Sequence, residues 1–223
     1  MGSTGRSVLV TGGSRGIGRA IVECFACHGW TVFSPSRTQL DLSSLDSVLV
    51  FLRAGGCAVD TLVNNAGENI IAPFASLTLS DWSRMQMVNL TAPFLLSQAA
   101  AASMATTGWG RIVNIGSCYS FVSRSGRAGY TAAKSGLAGL TRAIAVECAE
   151  RGILANCVSP GFVETDLTRR NNTPEQIKQL QGQVPAKRLG KPEEVADLVF
   201  FLGSEKNTYF TGQNVALRGF LCT

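Results

Sequence analysis

The fold is decided near the amino terminus by residues 7–18, which read Ser7-Val8-Leu9-Val10-Thr11-Gly12-Gly13-Ser14-Arg15-Gly16-Ile17-Gly18. The apolar, β-branched run that opens this stretch predicts a short buried strand. The glycines let the backbone turn tightly and approach a pyrophosphate, and a helix that follows presents free N–H groups to such an anion. The spacing G-x-x-x-G-x-G differs from the general G-x-G-x-x-G fingerprint, and a plain turn is the alternative interpretation.

Beyond this stretch, short β-branched runs alternate with longer helical segments. Strands are predicted at residues 7–11, 31–34, a short one ending at Leu40, 59–64, 111–115, 153–158 and 215–217. Helices are predicted after the glycine-rich turn to residue 27 and at residues 45–53, 79–104, 130–151 and 192–202. Such alternation favours parallel pairing through right-handed crossovers, with ligands at the carboxyl ends of the strands. We therefore predict a single domain over residues 1–223, an α/β, Rossmann-like, doubly wound parallel sheet of about six or seven strands with helices on both faces.

Composition narrows the classes of function. The chain has 223 residues, 45% of them hydrophobic and 16% charged, which excludes a disordered protein. It has no apolar run of about 18 residues and no signal core before the first strand, so we expect a cytoplasmic protein without a membrane partner. The net charge of +5 is dispersed rather than clustered, which disfavours nucleic acid and fits an anionic ligand such as a phosphorylated cofactor.

The seven cysteines form an odd set scattered through predicted elements, which is typical of reduced, mostly buried thiols. Cys24-Phe25-Ala26-Cys27-His28 matches the C-x-x-C-H spacing of a covalent haem site, but it lies within an apolar helical repeat. That kind of haem attachment also needs export, so we expect neither haem nor metal. His28 is the only histidine, which disfavours Ser-His-Asp chemistry.

Candidate catalytic residues follow the predicted strands. Ser117 follows the strand at 111–115, and Tyr130 and Lys134 are four apart in a helix, so they share a face. A tyrosine with a pKa near ~10 is a poor acid–base catalyst at neutral pH, and a nearby ammonium lowers that pKa. Taken alone, a Tyr-x-x-x-Lys match is more often an unrelated surface pair. Asn64-Asn65-Ala66-Gly67, after the strand at 59–64, is either an Asn-Gly turn or a wall beside a bound adenosine.

Taken together, these motifs resemble the short-chain dehydrogenase/reductase family, and the likeness covers nearly the whole chain. Within that family the sequence is most similar to bacterial 3-oxoacyl-[acyl-carrier-protein] reductases, chiefly over residues 110–117, 160–166 and 183–190. The resemblance implies a catalytic set of Asn89, Ser117, Tyr130 and Lys134. Tyr130 would transfer the proton, Lys134 would lower its pKa and bind the nicotinamide ribose, and Ser117 would polarise the carbonyl. Asn89 would hold a water that relays protons from Lys134.

The resemblance also implies a cofactor site. Its expected residues are Gly12, Ser14, Arg15, Gly16, Ile17, Gly18, Arg37, Asp41, Leu42, Asn65, Ala66, Gly67, Tyr130, Lys134, Pro160, Gly161, Val163 and Thr165. Val163 and Thr165 would fix the nicotinamide carboxamide and phosphate. Residues 161–190 are expected to form a substrate lid.

The cofactor choice follows from the end of the second strand, which reads Ser34-Pro35-Ser36-Arg37. NAD-specific enzymes of this fold place an acidic residue there to accept both ribose hydroxyls. Here no acid precedes Asp41, and Arg37 and Arg15 are candidates for binding a 2′-phosphate. We therefore expect NADP(H) to be preferred. NAD(H) stays possible, because a shifted register would bring Asp41 to the ribose instead of the adenine.

Three departures from the family pattern matter. The link from the second strand to Asp41 is very short, so one family helix is expected to be missing. Arg218-Gly219-Phe220 stands where the family usually has Asp-Gly-Gly, which puts the C-terminal packing and a subunit interface in doubt. Residues 106–109 lack the basic residue that carrier-protein reductases often have, so acyl carrier protein is an uncertain partner.

The sequence thus predicts an NADPH-dependent carbonyl reductase or alcohol dehydrogenase. Reduction of 3-oxoacyl thioesters, as in fatty acid biosynthesis, is one candidate reaction, and oxidation of a sugar or another small alcohol is its rival. A non-catalytic NADP(H)-binding sensor is the alternative from another class. The expected partners are a small carbonyl or alcohol substrate and further copies of the chain, as a homodimer or homotetramer.

Overall fold

The structure, a computed structural model, describes residues 5–165, 168–169 and 173–219. Its centre is one sheet in which every neighbouring pair of strands is parallel, in the order β2-β1-β3-β4-β5-β6. The strands are β1 (Ser7–Val10), β2 (Thr31–Phe33), β3 (Thr61–Asn64), β4 (Gly110–Ile115), β5 (Ile153–Pro160) and β6 (Asn214–Leu217). The predicted Rossmann-like α/β class is confirmed.

Helices cover both faces of this sheet. They are α1 (Gly16–Cys27), α2 (Leu45–Arg53), α3 (Leu79–Gln86), α4 (Ala92–Thr107), α5 (Ala128–Cys148), α6 (Pro174–Gln183) and α7 (Pro192–Gly203). Side chains alternate along each strand, so Val113 faces one layer of helices and its neighbour Ile112 faces the other. The first layer contains α1 and α7, and the second contains α2, α4 and α5. The core therefore lies on both sides of a fully covered central sheet.

The predicted long helix over 79–104 is interrupted. A π-helical turn, Met87–Thr91, separates α3 from α4. Single π turns inside α-helices often occur at functional sites, and this one contains Asn89. No helix of the described residues has the length and apolar character needed to cross a membrane.

The predicted strand ending at Leu40 is wrong. Residues 36–40 form a turn instead, in which the N–H groups of Gln39 and Leu40 both donate to the Ser36 carbonyl, at 3.0 and 2.9 Å. A parallel strand beside β2 would need a crossover of roughly a dozen residues, and the link after Phe33 is too short for one. The expected loss of a family helix agrees with the described residues 34–44, which contain none.

The shortened link leaves β2 at the edge of the sheet. Phe33 is 49% exposed there. A groove of about 390 Å³ runs along this edge, between β2 and Phe51 of α2. The groove lies beside the strand edge and none of the expected catalytic side chains lines it, so we place the reaction elsewhere.

Candidate active site

The glycine-rich turn after β1 packs closely against its neighbours at Gly12, Gly13 and Gly18, where a side chain would not fit. Gly12 has a φ of +67° and Gly16 one of +55°, which favour glycine. A Cβ on Gly12 would lie 3.0 Å from the Cα of Ala66, and one on Gly18 would collide with the Gly12 carbonyl oxygen. A Cβ on Gly13 would collide with Ser34 Oγ, so the end of β2 lies against this turn.

Helix α1 begins at this turn with its first N–H groups free for an anion. Its N-cap residue, Arg15, makes no side-chain capping hydrogen bond. A cradle of glycines at an uncapped helix start fits the pyrophosphate of a dinucleotide. Thr165 reaches the same place from the segment after β5, because a Cβ on Gly16 would lie 3.4 Å from Thr165 Cγ2. Ser14 is exposed and Ile17 half-buried beside them.

Thr11, which the sequence analysis did not single out, ties the ends of β1 and β3 together. Its hydroxyl accepts hydrogen bonds from the N–H groups of Asn65 and Ala66, at 3.0 and 3.1 Å. In return, Asn65 Nδ2 donates to the carbonyl oxygens of Thr11 and Gly12, at 2.9 and 3.1 Å. The signal that the sequence offered for this residue was a threonine directly before the first glycine of the turn. These bonds fix Asn65 and Ala66 beside the turn.

Asn89 is fully buried and holds the chain that follows β3. Its Nδ2 donates to the carbonyl oxygens of Glu68 and Met85, both at 2.8 Å, and its Oδ1 accepts from the Glu68 N–H at 3.2 Å. A Cβ on Gly67 would lie 3.0 Å from Asn89 Oδ1 and 3.5 Å from Lys134 Nζ. Gly67, Asn89 and Lys134 therefore meet at one point, and a side chain at residue 67 would press against Asn89.

Ser117 and Tyr130 meet beside this point. Ser117 follows β4, is 8% exposed, and its Oγ accepts from the Tyr119 N–H at 3.2 Å. Burial raises the pKa of Tyr130 to about 12, and a hydrogen bond with the Ser117 hydroxyl opposes that rise. The Tyr119 ring packs edge-on against Tyr130, with ring centres 6.0 Å apart. Tyr130 is thus a protonated phenol at neutral pH, within reach of the Ser117 hydroxyl.

Lys134 is buried next to Tyr130 on the same helix face. Its Nζ donates to the Ile115 carbonyl oxygen at 2.7 Å and lies 5.7 Å from the centre of the Tyr130 ring. Burial lowers the pKa of Lys134 to about 8. The expected lowering of the Tyr130 pKa by Lys134 is not seen, because burial dominates that pKa and the ammonium points at Ile115.

The side of the site nearest β2 carries the expected determinants of cofactor choice. Arg37 is 71% exposed and forms an ion pair with Asp41 at 3.3 Å. The Asp41 carboxylate also accepts from the N–H and hydroxyl of Ser43, which lowers the pKa of Asp41. Leu42 is buried in the core, 9% exposed, so its side chain packs against the domain. The two charged residues that could decide the cofactor therefore contact each other.

The segment after β5 is held by a second strand-like contact. Val163 pairs with Gly190, and the N–H groups of Glu164 and Gly190 donate to the carbonyls of Gly190 and Phe162, at 2.8 and 2.9 Å. The Val163 side chain is 4% exposed and joins the core. Asp166, part of the predicted lid, Phe220 and Cys222 lie outside the described residues.

The described part of the chain contains no group of three or more His, Cys, Asp or Glu side chains that could hold a metal ion. Its six cysteines are free. His28 stacks on Phe200 with ring centres 3.9 Å apart, and its Nδ1 lies 2.8 Å from the Cys24 carbonyl oxygen. Within the Cys24–His28 stretch Phe25 is buried, whereas Ala26, Cys27 and His28 are exposed.

A dinucleotide cradle beside a buried serine, tyrosine and lysine defines a nicotinamide-dependent oxidoreductase. The chain matches the family profile of enoyl-(acyl carrier protein) reductases over residues 39–219. It is 38% identical to the 3-oxoacyl-[acyl-carrier-protein] reductase FabG of Aquifex aeolicus, over 96% of each chain. It is also 38% identical to the FabG of Escherichia coli, over 98% of each chain.

Solved structures of dehydrogenases are also similar to this chain over nearly its whole length. A protein of Agrobacterium tumefaciens assigned as a gluconate dehydrogenase matches with a TM-score of 0.89 and 36% identity, over 97% of this chain and 96% of that one. A Beutenbergia cavernae protein assigned as an NAD(P)-dependent gluconate 5-dehydrogenase, with bound NADP, matches with a TM-score of 0.92 and 34% identity, over 96% of each chain. The chain belongs to the short-chain dehydrogenase/reductase family. It is an NAD(P)-dependent oxidoreductase.

Proposed function

We propose that this enzyme is an NADPH-dependent carbonyl reductase whose reaction is reversible. The observation that carries the proposal is the meeting of Ser117, Tyr130, Lys134 and Asn89 at the carboxyl edge of the sheet, next to the glycine-rich turn. When bound, the nicotinamide would supply the hydride. The 2′-phosphate is assigned to Arg37 and Arg15 because no acidic residue lies between the end of β2 and Asp41.

In the direction of reduction, Ser117 donates a hydrogen bond to the carbonyl oxygen of the substrate and holds it beside the Tyr130 hydroxyl. Tyr130 donates its proton to that oxygen as the carbonyl carbon gains the hydride, so the product is an alcohol. Lys134 lies next to Tyr130 and passes the replacement proton toward it. The proton moves through a water that Asn89 would hold. The high pKa of Tyr130 keeps the proton available at neutral pH, which suits an acid better than a base.

Two substrate classes are favoured by different relatives. The bacterial FabG proteins are named for the reduction of 3-oxoacyl groups on acyl carrier protein, which supports a 3-oxoacyl thioester. The two structural relatives are assigned to gluconate, which supports a sugar acid or another small polar alcohol. Both classes stay candidates, and acyl carrier protein is a proposed rather than a required partner.

The lid, the oligomer and the cellular location are parts of the same proposal. Residues 161–190 are proposed to cover the substrate, and α6 within them contacts the loop after Ser117 through Arg124 and Gln183. The enzyme is proposed to act as a homodimer or homotetramer in the cytoplasm.

The test is turnover of purified protein with NADPH and a panel of 3-oxoacyl thioesters, small ketones and oxidised sugar acids. Absorbance of NADPH falls if a carbonyl is reduced, and the reverse assay with NADP and the matching alcohols gives the equilibrium position. Absence of turnover with every pair, although NADPH binds, would contradict the proposal.

A further inference from the structure

Three arginines surround the turn that follows the candidate catalytic serine, and the proposed reaction uses none of them. Arg124 and Arg127 lie in residues 118–127, between Ser117 and helix α5. Arg218 follows β6, at the position where the sequence departs from the Asp-Gly-Gly ending of its family. Because β4, β5 and β6 are neighbours in the sheet, the carboxyl end of β6 lies on the same edge as Ser117.

Arg127 lies one aromatic ring away from the reacting hydroxyl. Its Cζ is 5.5 Å from the centre of the Tyr119 ring, and that ring packs edge-on against Tyr130. The guanidinium is close enough to Tyr130 to favour its phenolate electrostatically. Arg127 therefore lies on the Tyr119 side of the reacting hydroxyl.

Arg218 and Arg124 approach the same turn from its other side. Arg218 Cζ lies 4.8 Å from the Phe121 ring centre, and Arg124 Cζ lies 5.4 Å from that of Phe162. Burial raises the pKa of the Cys118 thiol, and the charges of both arginines oppose that rise. Cys118 is the residue after Ser117. The backbone of Arg218 also packs against Gly161, where a Cβ would lie 3.0 Å from the Arg218 Cα.

In two of these guanidinium groups, one nitrogen is buried and has no hydrogen-bond acceptor. Within the part of the chain that the structure describes, Nη1 of Arg127 and Nη1 of Arg218 are inaccessible and make no hydrogen bond. Arg124 donates only to the neutral Gln183 side chain, at 3.2 Å, and no ion pair among the described residues includes any of the three. A buried donor without an acceptor costs free energy, so a shift of either side chain that brings its guanidinium to an anion at this turn would be favourable.

We propose that Arg127 and Arg218 bind an anionic group of the substrate while its carbonyl lies at Ser117 and Tyr130. A planar guanidinium binds a carboxylate or a phosphate through paired, charge-assisted hydrogen bonds. The aromatic rings of Tyr119 and Phe121 hold the two guanidinium planes in place. Arg124 is exposed and lies at the outer edge of this group of three arginines. This proposal rests on the proposed carbonyl reduction and names its substrate class: small oxo acids or oxo phosphates.

The test compares probes that share a ketone and differ in whether they carry an anionic group. One pair is 4-oxopentanoate and its methyl ester, and the other is hydroxyacetone phosphate and hydroxyacetone. With NADPH, we expect kcat/KM to be at least roughly ten-fold higher for the anion of at least one pair, the size of about one charge-assisted hydrogen bond. The pair that shows the difference tells a carboxylate site from a phosphate site, and either result supports the proposal.

The variants are Arg127→Gln and Arg218→Gln, with Arg53→Gln, an exposed arginine at the end of α2, as the matched control. The first two should abolish the preference for the anion, measured as the ratio of kcat/KM on the charged probe to that on its neutral partner, while the KM for NADPH stays within about two-fold. If either variant folds poorly, the Arg→Lys change should retain part of the preference, because the charge stays but the paired geometry is lost.

Three results would overturn the proposal. These are equal rates on charged and neutral probes in the wild type, an unchanged preference in both glutamine variants, and a raised KM for NADPH in place of a changed preference. A failure of the proposed function looks different, because no probe is then reduced. In that case the arginine site is decided by binding: the anionic probes must raise the melting temperature of the wild type and not that of Arg218→Gln.

Discussion

The ammonium of Lys134 donates a 2.7 Å hydrogen bond to the carbonyl oxygen of Ile115. This bond joins helix α5, which also carries Tyr130, to the end of strand β4, after which Ser117 follows. It therefore fixes the two candidate catalytic hydroxyl groups relative to each other. The ammonium itself is buried, and this burial lowers the pKa of Lys134 to about 8.

The first prediction concerns the pH dependence of reduction. Below a pH of about 8 Lys134 is an ammonium that carries the proton it passes toward Tyr130, and above that pH the proton is lost. The kcat/KM for NADPH, which reports the free enzyme, should therefore fall as pH rises through about 8. Tyr130 contributes no decline in that range, because its proton is held up to about pH 12.

The matched variant is Lys134→Arg, which stays charged throughout this range. Its rate should be lower, but the decline near pH 8 should disappear. A profile that is flat to pH 10 in the wild type, or an unchanged decline in the variant, would show that Lys134 is not the titrating group.

The second prediction concerns the proton donor. Tyr130→Phe removes only the hydroxyl and should lower turnover at least ~100-fold, the usual scale of general acid–base catalysis. Binding of NADPH, measured by its fluorescence, should persist. Tyr119→Phe is the control, because it keeps the edge-on ring contact at 6.0 Å and should retain turnover. Wild-type turnover in Tyr130→Phe would refute the mechanism.

Much of the site could be predicted because short motifs fix it locally. The glycine-rich turn, Ser117 and the helical pair Tyr130 and Lys134 need only a strand end or a helix face to be placed. Bond directions could not be predicted, since they depend on residues distant in the chain. Lys134 binds Ile115, nineteen residues away, rather than only facing Tyr130.

The same reasoning explains the errors in the fold. The strand expected to end at Leu40 had a suitable local pattern, but pairing beside β2 depends on the length of the link. The π turn that holds Asn89 is likewise invisible in the apolar periodicity of residues 79–104, since one extra residue in a turn changes that pattern little. The positions of Arg127 and Arg218 depend on the packing of separate strand ends, so composition could not reveal them.

The third prediction concerns a buried polar network that supports the site. Asn64 Nδ2 donates to Asn114 Oδ1 at 2.8 Å, and Asn114 Nδ2 donates to Thr141 Oγ1 at 2.9 Å. Asn114→Ala removes both bonds, while Asn64 keeps its bond to Ser97 and Thr141 keeps its bond to the Leu137 carbonyl, so the free energy of unfolding should drop by about 1–3 kcal/mol. Denaturant unfolding measures this, with the exposed Gln98→Ala as control. Equal stability of the two variants would show that the network contributes nothing.

The fourth prediction concerns assembly. Helices α4 and α5 leave apolar side chains exposed, among them Phe94 at 42% and Val146 at 81%. We expect a dimer or a tetramer in light scattering at micromolar concentration, and weaker association in Phe94→Asp and Val146→Asp. Tyr209→Asp is the control, since Tyr209 is 92% exposed but lies outside these helices. A monomeric wild type would refute the prediction.

The fifth prediction concerns cofactor choice, which depends on the ion pair between Arg37 and Asp41. The Asp41 carboxylate accepts hydrogen bonds from the N–H and hydroxyl of Ser43, which lower its pKa and keep it ionised. Arg37 is exposed and can present one N–H edge of its guanidinium to a 2′-phosphate while it stays near Asp41. We therefore expect kcat/KM for NADPH to exceed that for NADH by at least about ten-fold, which corresponds to ~1.4 kcal/mol.

The variants separate the two charged residues. Arg37→Gln should reduce the preference toward equality by weakening NADPH alone, and Arg15→Gln should act in the same direction from the other side of the turn. Asp41→Asn should raise the preference, because it removes a negative charge near the 2′-phosphate and frees Arg37. Arg53→Gln, distant from the turn, should change neither cofactor. Equal use of both cofactors by the wild type, or an NADH preference that Asp41→Asn abolishes, would place Asp41 at the ribose and make this an NAD enzyme.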